Sequence, residues 1–159
     1  MNERSCCKPN CPQPQPMPTG CMAYALYHQN NILSNNAPFD GIALSETAAE
    51  SFGDFYSDGS SFQILKPGVY LISYIVNIPA AVAVNTTFAL QVNRQNVPST
   101  VRNVAKTATD TPHTITAQTI LETNTPVALR LSSSSLLTIT GTAVETLASL
   151  SIQQLSCCC

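Results

Sequence analysis

Cysteine is missing from the whole interior of this 159-residue chain: none occurs between Met22 and Ser156, although seven stand outside that stretch. A domain of this size hides on the order of two-thirds of its unfolded surface and needs no covalent staple, so the thiols serve something other than folding the body. Charge is nearly as scarce. Asp, Glu, Lys and Arg together make up 10% of the chain, against about 25% in ordinary domains. With a net charge of −2 and scattered Lys and Arg, nothing resembles a phosphate-binding surface, which argues against nucleic acid as a partner. A weakly charged exterior rich in Ser, Thr, Asn and Gln repels copies of itself weakly and tolerates dense packing.

Long apolar runs are lacking too. MNERSCC carries no stretch of signal-peptide type. The longest apolar run, near Val69–Ile78, is too short and too interrupted to span a bilayer. Synthesis without Sec-type export and no membrane partner are therefore expected. No Gly-x-Ser-x-Gly elbow and no Gly-rich phosphate cradle occur. His28 and His113 are the only histidines and neither belongs to a compact motif, so no enzymatic activity and no cofactor are expected. DFYSDGS (54–60) lacks the further acids of a calcium loop, and its Asp58-Gly59 reads as a turn.

What is present is concentrated at the two ends. SCCKPNCPQPQPMPTGC (5–21) holds Cys6, Cys7, Cys11 and Cys21, and SCCC (156–159) holds Cys157, Cys158 and Cys159. Pro12, Pro14, Pro16 and Pro18 alternate with other residues, which forbids a strand ladder and favours an extended spacer. Cys7 and Cys11 have the spacing of half a zinc site, but a second such pair and a nearby His are absent. Vicinal cysteines rarely bridge each other, so each seeks a separate partner. An odd total leaves at least one thiol to pair outside its own chain or stay free. Intermolecular disulfides are the favoured reading for all seven, and soft-metal binding before oxidation is the alternative.

From Met22 onward the signals are for strands: short segments rich in Val, Ile, Thr, Tyr and Phe, divided by Asn, Asp, Gly and Pro. They are MAYALYH (22–28), FQILK (62–66), VYLISYIVNI (69–78), TTFALQV (86–92), TITAQTILE (114–122), VALRLS (127–132), LLTIT (136–140) and LASLSIQQL (147–155). In VALRLS the residues Val127, Leu129 and Leu131 should point inward. TAAESFGD (47–54) reads as a helical turn at most. The fold class is all-β, an antiparallel two-sheet sandwich of jelly-roll type. The segment 69–78 is apolar on both faces, with Val69, Leu71 and Ile75 on one and Tyr70, Ile72, Tyr74, Val76 and Ile78 on the other. A second sheet covers one face only. A long loop of the same chain could cover the other, but we expect another subunit to do so, and Tyr70, Ile72, Tyr74 and Val76 are the interface candidates, since interface cores are rich in Tyr.

With AYALY, the Lys66-Pro67-Gly68-Val69-Tyr70 turn into the long central strand, FALQVN and a Thr-rich final third, residues 22–156 resemble the trimeric jelly rolls of the tumour-necrosis-factor and complement-head superfamily. Within it they are similar to the C-terminal domain of BclA-type exosporium glycoproteins of bacterial spores. The resemblance implies a rigid homotrimer displayed on a spore surface, made in the mother cell, with both termini leaving the domain at the same end so that Cys21 and Cys157 approach one another. No Gly-X-Y collagen stalk is present. In its place the leader is similar in outline to the N-terminal connector of endospore appendage (Ena) subunits, with Cys6, Cys7 and Cys11 in the linking positions. The organisation expected is a cross-linking leader (1–21), a jelly-roll domain (22–156) and a cysteine triplet (157–159). Such a chain would act as a structural spore-surface protein of the exosporium, coat or appendage. Its partners would be itself, as a homotrimer and disulfide-linked polymer, and other spore-surface proteins. The alternative is a trimeric head that binds a carbohydrate or host receptor.

Overall fold

A computed structural model describes residues 23–50, 53–141 and 146–157. Along the chain the strands are β1 (Tyr24–Gln29), β2 (Ile32–Ser34), β3 (Glu46–Glu50), β4 (Phe55–Ser57), β5 (Phe62–Ile64), β6 (Gly68–Ile78) and β7 (Val84–Val92). They continue with β8 (Gln95–Asn96), β9 (Arg102–Lys106), β10 (His113–Thr123), β11 (Val127–Ser133), β12 (Thr138–Thr140) and β13 (Ala148–Cys157). One sheet has the order β10-β6-β13-β1-β3 and the other β4-β5-β11-β7-β8, with β9 on the first half of β7. A short β2–β12 ladder stands beside them. Every named pairing is antiparallel. The eight apolar segments all become strands. TAAESFGD does not become a helical turn: its first half is β3, an edge strand aligned by β1 across a register shift at Leu26/Tyr27.

The two sheets face each other across one core. Tyr27 of β1 meets Phe62 of β5, with ring centroids 4.4 Å apart, and Phe55 of β4 meets Tyr70 of β6 edge-on at 6.4 Å. Val127, Leu129 and Leu131 point inward from β11 as their alternation implies.

The central strand β6 shows which of its two apolar faces the core takes. Tyr70, Ile72, Tyr74 and Val76 are essentially without solvent exposure in the single chain. They belong to the sandwich core, so the assignment of these four to a subunit interface is wrong. The physical reason lies in the polar members of each stripe. Turning β6 over would bury Ser73 and Asn77, at about 1–3 kcal/mol for each unpaired group. The tyrosine face carries hydroxyls long enough to reach backbone acceptors: Tyr70 donates to Lys66 O at 2.9 Å and Tyr74 to Thr100 O at 2.7 Å. The large rings are thus buried with their polar ends satisfied.

Burial pushes the Tyr74 phenol up to about 12, and burial with the Glu50 contact raises that of Tyr27 further. In the unfolded chain both ionise near pH 10. Stability should therefore hold below pH 10 and fall as pH rises from 10 through 12, because the unfolded state loses its protons first. Urea unfolding at pH 8 and pH 11 checks this. Tyr74→Phe should cost about 1 kcal/mol at pH 8 and show a smaller loss between the two pH values than the native chain.

Candidate assembly surface

The residues that leave the core on one side of β6 must appear on the other, because successive side chains alternate. The outward stripe of β6 is Val69, Leu71, Ser73, Ile75 and Asn77. Strand register continues it across the five-stranded sheet. One row runs Ile120, Leu71, Gln153, Tyr24; the next runs Gln118, Ser73, Ser151, Leu26, Ala49; a third runs Thr116, Ile75, Ser149, His28, Glu46. Ile120, Tyr24, Leu26 and Ile75 are exposed here, and Leu155 adds another apolar side chain toward the end of β13.

Among the outward residues of β10, β6, β13 and β1 the only carboxylate is Glu122. Glu46 on β3 closes one edge and sits 3.5 Å from His28 Nδ1, where it also accepts from Asn30 Nδ2 at 3.0 Å. At the centre the Ser73 and Ser151 hydroxyls bond each other at 2.6 Å, so these polar groups need no water to be satisfied. The other exposed large apolar residues, Ile32, Phe39, Tyr56, Leu65 and Leu136, are distributed over separate short strands and loops. The outward face of this sheet is therefore where exposed apolar area is contiguous and charge is confined to its margins, the condition that marks an interaction surface.

The first and last described strands meet on the same sheet. β1 and β13 are antiparallel neighbours, with Tyr24 opposite Gln153. Gln154 N donates to Ala23 O at 2.8 Å, and Gln154 Oε1 accepts from Ala23 N at 3.2 Å. Cys157 pairs in register with Gly68. The first and last described residues thus stand at one end of the domain. Cys6, Cys7, Cys11, Cys21, Cys158 and Cys159 lie outside the described residues, and of Cys157 only the backbone position is described. Gly68 permits the crowding at this end: a Cβ there would stand 2.7 Å from Gln154 Nε2 and 2.9 Å from Ser156 O.

The other singled-out residues take ordinary roles. His28 lies at the β3 edge, and His113 opens β10 opposite Ile78. Asp54 pairs with Lys66. Asp58 Oδ1 accepts from Ser60 N, Ser60 Oγ and Ser61 N, which holds its carboxyl below the usual range and makes the stretch a turn. No cluster of three or more His, Cys, Asp or Glu suited to a metal occurs among the described residues. The outward set was legible in part. Val69, Leu71 and Ile75 share their stripe with Ser73 and Asn77, and that mixture marks the exposed face of a strand.

No family model and no curated protein matches the chain. Solved structures do. A crystal structure of murine APRIL superposes with a TM-score of 0.59 at 10% identity, covering 84% of this chain and 99% of that one. The PRD1 vertex protein P5 gives 0.53 at 11% identity, over 86% and 97%. The fold is an antiparallel, tumour-necrosis-factor-like jelly roll.

Gly68→Ala should destabilise the domain by about 1–3 kcal/mol through overpacking against the β13 backbone. It should also raise hydrogen exchange at the Ala23 amide, whose acceptor Gln154 is displaced. Denaturant unfolding and exchange mass spectrometry check both.

Proposed function

We propose that this chain is a non-enzymatic structural subunit of the bacterial spore surface, in which three copies join through the outward face of the five-stranded sheet. The terminal cysteines then link the trimers covalently into a fibre, appendage or outer layer. The observation that carries the reading is the face of Tyr24, Leu26, Leu71, Ile75 and Ile120, on the sheet at whose end the first and last described residues stand.

A sheet with one face on its own core and the other lined with Ile, Leu, Tyr and Ser lowers its free energy by covering the second face. Three-fold closure buries it without leaving an open, filament-forming edge. Full burial of each Ile or Leu contributes about 1.5–3 kcal/mol, so a few such side chains per chain suffice to drive association. Like-charge repulsion is small because the face has so little charge. The polymer then comes from the thiols: a trimer presents the cysteine-bearing ends of three chains at one pole, and the proline-spaced leader spans to a neighbour. The resemblance of the body to BclA-type domains and of the leader to Ena connectors supports the spore surface as location. Synthesis in the reducing mother cell, with oxidation on assembly, is the redox history that fits a chain of this cysteine pattern.

Two variants separate the steps. With all seven cysteines changed to Ser, the chain should keep three times its 17.0 kDa mass in native mass spectrometry but form no polymer that resists boiling in detergent. With Ile75→Glu and Ile120→Glu in that background, it should run as a folded monomer. A native-mass trimer in the double glutamate variant overturns the interface. Detergent-resistant polymer in the cysteine-free chain overturns the cross-linking.

A further inference from the structure

On the other sheet, away from the assembly surface, a hollow of about 360 Å³ is lined by Pro38, Phe39, Asp40, Gln91, Arg94 and Arg130. In a chain with so few charges it holds two of the three arginines among the described residues. It also collects unfavourable local conformations. Phe39, Asn93 and Arg94 are the non-glycine residues with positive φ among the described residues, at 65°, 50° and 69°; two line the hollow and the third adjoins it. Asn93 and Arg94 are the central residues of the two-residue β7–β8 turn, which joins Val92 to Gln95. The second central position of such a turn favours Gly, yet here it carries a long cation. Backbone strain of this kind persists where something other than stability selects it.

The floor supplies an unsatisfied group. Gln91 is 4% exposed; its Nε2 donates to Asn96 Oδ1 at 3.1 Å, and its Oε1 has no hydrogen-bond partner. Arg130 is its cross-strand neighbour. Arg130 Nη1 stands 3.8 Å from Asp40 Oδ1, outside hydrogen-bond reach, and Arg94 has no ion-pair partner within 4.0 Å among the described residues. Phe39 is 58% exposed, a large ring held toward solvent by a well-tied segment. Its N–H donates to Ser133 O at 2.7 Å, and Ile42 N donates to Leu131 O at 2.7 Å.

We propose that this hollow binds a saccharide bearing a single carboxylate, of the uronic acid class. The guanidinium of Arg130, with that of Arg94, takes the planar carboxylate by paired N–H donors. The Phe39 ring covers the C–H face of the pyranose, and the buried Gln91 side chain, whose Oε1 is closed off from solvent, forms the floor beneath it. Asp40 accepts from a second hydroxyl and repels a second anionic group, which selects against heavily sulfated chains. Asp58 is engaged by Ser60 and Ser61 and is not part of the lining. The volume lies at the small end of ligand sites, the size of one or two sugar rings.

Saturation-transfer NMR on the full chain tests this with methyl β-D-glucuronide, its neutral glucoside, a heparin disaccharide and an acetylated Glu-containing tripeptide. The glucuronide should saturate, with the glucoside and the tripeptide each weaker by about tenfold or more. The heparin disaccharide should bind no tighter than the glucuronide. Arg130→Gln should abolish the preference for the acid. Arg94→Gly should weaken the glucuronide several-fold while raising the melting temperature, since glycine releases the strained turn; that opposite movement is not expected of a merely structural arginine. Equal binding of glucuronide and glucoside, absence of saturation, tighter binding of the sulfated probe, or a tripeptide that binds as well as the acid overturns the proposal. So does Arg94→Gly with unchanged affinity.

Discussion

The structure depends on the choice that β6 makes between its two apolar faces. A strand has two sides and no others, and in β6 neither side is polar enough to be left to water without cost. Sending Tyr70, Ile72, Tyr74, Val76 and Ile78 into the sandwich buries the larger residues and gives the Tyr70 and Tyr74 hydroxyls backbone acceptors. That choice fixes the rest. β10 and β13 must present Ile115, Ala117, Leu150 and Ile152 to the same core, so Ile120, Gln118, Ser151 and Gln153 turn outward beside Leu71 and Ile75. An exterior with little charge is what the sequence leaves on the other side of that core.

The same sheet sets where the two ends of the described chain stand. Because β1 and β13 are neighbours, an N-terminal extension and a C-terminal one start from a single end of the domain. The body folds around Tyr, Phe, Leu and Ile, and the one cysteine whose backbone is described, Cys157, stands at the last position of β13 opposite Gly68. In the proposed assembly, apolar area would hold the trimer and covalent bonds would join trimers. The hollow beneath Phe39 lies on the opposite sheet, where a trimer formed in this way would leave it open to solvent.

Much of the fold was legible because period-2 patterning survives in long strands. β6, β7, β10, β11 and β13 all lie where the apolar alternation places them. The strands outside the eight segments, β2, β3, β4, β8 and β9, are short and owe their ladders to neighbours; Glu46–Glu50 is Ala- and Glu-rich and is a strand because β1 pairs with it. The interface assignment fails for a different reason. Tyr is common both in cores and at interfaces, and composition does not say which. The decisive signal was the polar residue sharing the stripe: Ser73 and Asn77 belong with Leu71, and they mark the outward face. The hollow could not be read at all, since Phe39, Gln91 and Arg130 converge only through long-range sheet pairing. Of its features, Arg94 in a turn position that favours glycine was the one visible locally.

The central claim is that the outward face of β6 and its neighbours is covered by other copies of the chain. Ile120 and Leu136 offer a matched pair for testing it, because they are 65% and 66% exposed in the single chain and have similar intrinsic reactivity toward hydroxyl radicals. Radical footprinting of the native assembly, read by mass spectrometry, compares them in one sample. The account predicts strong protection of Ile120, together with Tyr24, Leu26 and Ile75, while Leu136 is oxidised freely. Equal oxidation of Ile120 and Leu136 in the native assembly would contradict it.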